Sequence, residues 1–384
     1  MRHSCRIATK LPQSGISVFS SIAELAARHE AVNLWQGAPS FPPDPALLAH
    51  AEQAMRAGLN QYAPMAGYGP LKAAIAEKTE RLHGARYQPD SEITVTAGAS
   101  EAIYSAIAAL VHAGDEVIFF EPAFEVYEPS IRLQGATPVA IGIRLDTLRI
   151  DWDEVAAAVT PRTRMIIVNT PHNPTGMSFD ADDIARLAAI VRGTDIVILS
   201  DEVYEHMVYD GREHLSLVRY PELAERSVIA LSLGKTYHAT GWRVGYCLAP
   251  AELSTEIRKV HQYVVFSAPA PLQAALAQML AAPRSYLDLA AFYQAKRDLL
   301  IESMAGTRLS LLPCGGSFFM LARFDGVSAL DDNAFVFDLL QTHGVGAIPL
   351  ASFYQDRRNT GIVRLAFCKD DATLREGGRR LARV

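Results

Sequence analysis

The sequence predicts an α/β protein in which a mostly parallel sheet lies between helices and is joined to a smaller α+β domain. Three observations predict it. Between about residues 45 and 285, helical patterns alternate with short runs apolar on both faces: EITVTAG, DEVIFFEP, TRMIIVNT, TDIVILSD, RSVIALS and WRVGYCLA. That alternation is expected of parallel strands buried under crossover helices. Beyond residue 285 the order changes to mixed strand and helix patterns. Finally, 384 residues, 49% of them hydrophobic, suffice for one large core and a second, smaller one.

Each element has a local reason. GISVFSSIAELAARHE reads as a helix, with Val18, Ile22 and Leu25 on one face. The prolines and glycine of AVNLWQGAPSFPPDP exclude regular structure, so a domain boundary is set there. The large domain then covers 45–285. PRSYLDLAAFYQAKRDLLIESM reads as one long helix, followed by GSFFMLARF, NAFVFDLLQTHG and GIVRLAF as strand, helix and strand. Residues 1–44, with the N-terminal helix, and 286–384 are assigned to the small domain.

Composition narrows the function. A formal net charge of −6 with no basic cluster argues against nucleic acid. Cys5, Cys247, Cys314 and Cys368 have no C-x-x-C spacing and read as free thiols in a reducing compartment. No H-x-x-x-H or H-E-x-x-H occurs, so no metal site is expected. No apolar run matches a signal peptide or a membrane span, and the expected location is cytoplasmic.

The chemistry lies at the strand ends, where open parallel sheets bind ligands. EITVT runs into AGASEA, where Ala99 and Ser100 open a helix whose N–H groups and hydroxyl suit a phosphate; a plain βα turn reads the same way. DEVIFF delivers Phe124, which taken alone reads as core. TRMIIVN leads to Asn173 between Pro171 and Pro174. TDIVILS ends in Asp201, with Tyr204 three residues on, as a helix cap or the anchor of a buried cation. RSVIALS delivers Ser232 and Lys235, and Arg243 follows Lys235 by eight residues.

Singly these are weak. Together they offer a phosphate cradle, an aromatic plate, an amide, a carboxylate and a primary amine. Pyridoxal 5′-phosphate needs all five: a lysine for its aldehyde, a carboxylate for its ring nitrogen, a hydrogen-bond donor for its phenolate oxygen, a stacking ring, and hydroxyls with a cation for its phosphate. Lys235 then bonds the aldehyde and Arg243 reaches the phosphate, while Thr240 and Gly241 let the chain turn back between them. Sparse charge around Lys235 favours a lowered pKa and a usable nucleophile.

NTPHNPTG, SDEVYEH and SLGKTYHATGWRVGY, in that order, resemble the class I/II aminotransferases of fold type I over essentially the whole chain. NQYAPMAGYG, TAGASEAIY, RKVHQY and IPLASFY bring it nearest to the methionine and kynurenine aminotransferase branch. The resemblance implies a seven-stranded sheet in the large domain. It makes Lys235 the Schiff-base lysine and proton shuttle, Asp201 the partner of the pyridine nitrogen, and Asn173 and Tyr204 the contacts of the phenolate oxygen. Ala99, Ser100, Ser232 and Arg243 hold the phosphate, and Phe124 stacks on the ring. Arg364, in GIVRLAF, grips the substrate α-carboxylate, and Gly37 faces the substrate. Tyr62 reaches the phosphate of a neighbouring subunit, which implies a homodimer with shared active sites.

Trp35, Ala38 and Ser40 depart from the usual NLxQGFPDF, and MAGYGPL also differs from the methionine-type relatives. The first change bears on side-chain preference and the second on the dimer contact. The expected activity is ping-pong transfer of an amino group from a methionine-, aromatic-, kynurenine- or glutamine-type L-amino acid to a 2-oxo acid. Phe19, Trp35 and Phe266 are candidates for the side-chain pocket. The alternatives are a cysteine-S-conjugate β-lyase using the same residues and, more distantly, a nicotinamide-dependent oxidoreductase, which lacks a G-x-G-x-x-G. A non-enzymatic regulator on the same body would need an added DNA-binding domain, for which the N-terminus is too short.

Overall fold

The computed structural model describes residues 8–11 and 18–384, with the side chains of Val18 and Phe19 and all of Cys5 outside the description. A helix spans Val18–Arg28 with Ile22 and Ala26 buried, and strand β1 (Val32–Asn33) follows. Six strands of the large sheet come next, after the helices Pro45–Arg56 and Gly69–His83: β2 (Ile93–Thr96), β3 (Glu116–Glu121), β4 (Thr137–Gly142), β5 (Thr163–Asn169), β6 (Val197–Asp201) and β7 (Ser227–Ser232). The seventh, β8 (Gly245–Leu248), completes it.

The strand order is β2-β8-β7-β6-β5-β3-β4. Only β8 runs against the others, pairing antiparallel with both β2 and β7. The central strands are buried on both faces: Ile118, Ile166, Ile198 and Ile229 enter one apolar core, and Val117, Met165, Leu199 and Val228 the other. Both sides of each strand therefore lose water, and the sequence shows unbroken apolar runs rather than alternation.

Two local differences from expectation have physical reasons. β4, TPVAIG, is an edge strand, half exposed, and its proline costs no ladder bond on the free side, so it lacks the apolar run that marks its neighbours. WRVGYCLA is strand only from Gly245. Thr240–Trp242 forms a 3₁₀ turn, and the left-handed residues that reverse the chain are His238 and Arg243 (both φ 54), not Gly241.

Beyond the sheet, the expected long helix is two, Arg284–Leu287 and Leu289–Ser303, separated at Asp288. Strands β9 (Ser310–Leu311), β10 (Phe319–Arg323), β11 (Val345–Gly346), β12 (Ile348–Pro349) and β13 (Ile362–Ala366) follow, with helices Asp332–His343 and Asp371–Leu381. β12-β13-β10-β9 form an antiparallel sheet with β13 inside it, and β1 pairs in parallel with β11. The N-terminal strand is thereby fastened to the C-terminal part of the chain. Among the described residues, no helix is long and apolar enough to cross a membrane.

The segment after β6 is pinned from behind. Lys78 Nζ donates to Glu205 Oε1 at 2.5 Å and to the Tyr246 hydroxyl at 3.0 Å, all three buried. Burial opposes ionisation of Glu205, yet Lys78 outweighs it and holds the carboxyl down at about 2. Glu202 accepts from Ser200 and the Leu217 amide and bonds the His214 ring. With both flanks tied, Asp201 and Tyr204 have little freedom.

Candidate active site

The strand ends converge on a cavity of about 260 Å³. Its first wall is the start of helix Ala99–Leu110, preceded by Gly98 at φ 79. A Cβ on Gly98 would lie 2.6 Å from Arg243 Nη2, and one on Gly245 would lie 2.6 Å from the Ala99 amide nitrogen. Both glycines are therefore required for the Arg243 guanidinium and β8 to approach the helix N-terminus. Ser100 and Ser232 line the same corner. Amides, two hydroxyls and a guanidinium make an anion cup.

Phe124 lies beside the cup, its ring 5.8 Å edge-on from Tyr127. The floor is Asp201, 2% exposed, which accepts from the Tyr127 hydroxyl at 2.6 Å and from the Val203 amide at 3.3 Å. Burial pushes its carboxyl up to about 6, although the Tyr127 hydroxyl, the Val203 amide and then Lys235 pull the other way. Tyr204 is buried next to it, its phenol raised by burial and by Asp201.

The Asp201 carboxyl makes stability depend on pH. Its ordinary pKa is 3.8 and the folded value is about 6. Between these the folded state binds more protons than the unfolded chain, so stability is lost as pH rises through the window. Asp201→Asn is neutral throughout. Without cofactor it should melt above wild type near pH 8, with the gap closing towards about pH 4. Thermal melts across pH check this, and a pH-independent gap would contradict it.

Lys235 leaves the short helical turn Leu233–Thr236, whose Ser232 cap accepts from the Lys235 amide at 3.3 Å. Its Nζ donates to the Gly37 carbonyl at 3.2 Å and lies 5.2 Å from the centre of the Phe318 ring. Burial lowers its pKa to about 8, and Arg364 and Arg243 add to that.

Arg364 projects from the middle of β13, 2% exposed. It donates through Nη1 to Asn173 Oδ1 and through Nη2 to the Trp35 carbonyl, both at 3.0 Å, and stacks 3.9 Å from the Phe319 ring centre. Burial brings its pKa down to about 10. A carboxylate reaching this guanidinium meets a fixed, partly desolvated fork, the geometry suited to bidentate binding.

The sequence-derived residues given a catalytic, cofactor or carboxylate role all line this one cavity except Tyr62: Gly37, Ala99, Ser100, Phe124, Asn173, Asp201, Tyr204, Ser232, Lys235, Arg243 and Arg364. Tyr62 is 84% exposed and packs edge-on against Phe266 at 5.3 Å, away from these residues. Trp35 and Phe266 do not line the cavity either. The Trp35 ring covers Gly346, where a Cβ would meet it at 2.3 Å, and Phe266 faces Tyr62. The Phe19 side chain lies outside the described residues.

The apolar lining is instead Ile103, Val203, Phe319 and Phe353, with Glu125 beside them. Sequence reasoning missed Phe319 and Phe353 because they come from the C-terminal part of the chain, which follows no strand-end rule. Tyr127 was also missed, and its three-residue spacing from Phe124 in EPAFEVY was the available signal.

A model of the family "Aminotransferase class I and II" matches residues 29–381. The methionine aminotransferase of Escherichia coli K12 is 47% identical over 377 residues, covering 98% of either chain. A crystal structure of an E. coli protein identified as having a methionine aminotransferase function superposes with a TM-score of 0.97 at 46% identity, covering 99% of this chain and 100% of that one. Mouse kynurenine–oxoglutarate transaminase 1 is 36% identical, over 93% of this chain and 92% of its own.

Proposed function

This chain belongs to the aminotransferase class I and II family, and on that premise we propose that it binds pyridoxal 5′-phosphate and takes the amino group of an apolar L-amino acid, methionine foremost. The acceptor is a 2-oxo acid. The observation that carries the reading is one cavity ringed by a buried amine, a buried carboxyl, an anion cup and a buried guanidinium.

The residues fit the cofactor. The cup framed by Gly98, Ser100, Ser232 and Arg243 has the donors a phosphate needs. The Asp201 carboxyl, raised by its apolar setting, is relieved by any cationic N–H placed against it. Phe124 supplies a ring face, and Asn173 and Tyr204 supply polar groups between Asp201 and Arg364. When bound, pyridoxal phosphate supplies an aldehyde that bonds amines and a protonated ring that takes up an electron pair.

This chain's own residues then divide the work. Arg364 fixes the substrate carboxylate, which aligns the α-C–H bond. The Lys235 amine, brought down to about 8, can accept the α-proton and return it near neutral pH. Asp201 would hold the ring nitrogen's proton against its carboxylate. Ile103, Val203, Phe319 and Phe353 exclude water and accommodate an apolar side chain. Among the described residues lining the cavity the cationic side chains are Lys235, Arg243 and Arg364, each already assigned, so this chain's lining offers an acidic side chain no further cation.

Tyr62, so exposed on its own subunit, supports a homodimer in which it completes the partner's phosphate cup. The first experiment is the visible spectrum of the cofactor-loaded protein with excess L-methionine. The cofactor band should bleach and return on adding a 2-oxo acid. A band that survives methionine and every other amino acid would overturn the substrate reading, and pyruvate released from a cysteine S-conjugate would favour the β-lyase.

A further inference from the structure

Residues 34–40 run beside the cavity, and Gly37 lines it. Each of five successive carbonyls in this strap has a donor. Leu34 O accepts from the Ala366 amide at 2.7 Å, and Trp35 O from Arg364 Nη2 at 3.0 Å. Gln36 O and Ala38 O both accept from Lys369 Nζ, at 2.9 and 2.8 Å, while Gly37 O accepts from Lys235 Nζ at 3.2 Å. Further along, the Ser40 hydroxyl donates to Asp370 Oδ2 at 2.8 Å.

Arg364 and Lys235 are the groups that the reaction assigns to substrate and cofactor. Lys369 is assigned to neither. It is 2% exposed, and an ammonium so buried is costly unless its protons are bonded. Two of them go to the carbonyls on either side of Gly37.

The position of Gly37 matters because it passes so close to the substrate space. A Cβ there would lie 2.6 Å from Phe319 Cζ, on the ring against which Arg364 stacks. A shift of the strap by about 1 Å would alter the space above Arg364, enough to degrade alignment of a bound carboxylate.

We propose that Lys369 is a positioning residue of the reaction: by holding Gln36 and Ala38 it keeps Gly37 in place over the substrate space once Arg364 and Lys235 are engaged. The proposal rests on the roles given above to those two residues.

The test is Lys369→Met in the cofactor-loaded protein, with the milder Ser40→Ala as a second variant that loosens the far end of the strap. For Lys369→Met, KM for L-methionine should rise about tenfold while kcat changes less than about threefold. Cofactor affinity should hold, and amide hydrogen exchange should quicken at residues 35–40. Ser40→Ala should move KM and exchange in the same direction by roughly twofold, and it decides the matter if Lys369→Met does not fold. A lower melting temperature with unchanged KM and unchanged exchange at 35–40 would make Lys369 a purely structural tie and overturn the proposal. If wild type transaminates no amino acid, the functional reading fails, and the exchange data alone still decide whether Lys369 anchors the strap.

Discussion

Lys235→Ala should lower turnover at least several hundredfold, within the roughly 10²–10⁴ that a positioned acid–base contributes. In the proposed mechanism the side chain does two things: it bonds the cofactor and it carries a proton. Alanine can do neither. Its removal should cost little stability, because among the described residues Nζ makes a single hydrogen bond, to the Gly37 carbonyl, and a buried amine is itself costly in that setting. A melting temperature near wild type together with collapsed turnover therefore separates lost chemistry from lost fold. Stopped-flow absorbance with L-methionine reads the half-reaction directly. Near-normal turnover in this variant would end the assignment.

The second large effect belongs to Arg364. Arg364→Leu should lower kcat/KM for L-methionine by about 10²–10³, the range expected when one partner of a buried charged pair is removed. KM should carry much of that loss, since the role proposed for the guanidinium fork is to orient substrate and not to move a proton. Arg364→Lys keeps the charge but loses the planar fork, and it should recover only part of the activity. Steady-state kinetics of both variants, with amines lacking the carboxylate as controls, tests the role. If wild type and Arg364→Leu discriminated equally between methionine and its decarboxylated amine, the carboxylate would be held elsewhere.

Much of the site was legible because its parts obey a local rule. Asp201, Ser232 and Ala99 each stand at or just beyond the end of an apolar strand, and a strand end is visible as the place where an apolar run meets a polar residue. Lys235 and Arg243 stood out because charge was scarce around them. Arg364 came with the family resemblance, and its place inside an apolar strand agrees with a guanidinium that takes up an anion.

What stayed hidden depends on long-range approach. The edge strand β4 carries no strong apolar signal, because half of it faces water. Phe319 and Phe353 meet the cavity only because β10 and the turn Leu350–Phe353 fold back over it from the far end of the chain. Trp35 and Phe266, candidates for the side-chain pocket, are outside this chain's cavity lining for the converse reason. They sit near pocket residues in sequence, yet Trp35 turns onto Gly346 and Phe266 onto Tyr62.

The sequence by itself therefore determined the α/β class, the register of chemistry along the strand ends and the ligand chemistry those residues demand. These depend on burial periodicity and on the cost of placing charge among apolar neighbours, both properties of short stretches. Only the tertiary structure decided which aromatic rings close the cavity, how far Lys235, Asp201 and Arg364 shift in proton affinity, and that Lys369 spans Gln36 and Ala38. Those outcomes turn on desolvation and on contacts between residues hundreds of positions apart, which exist only once the chain has closed on itself.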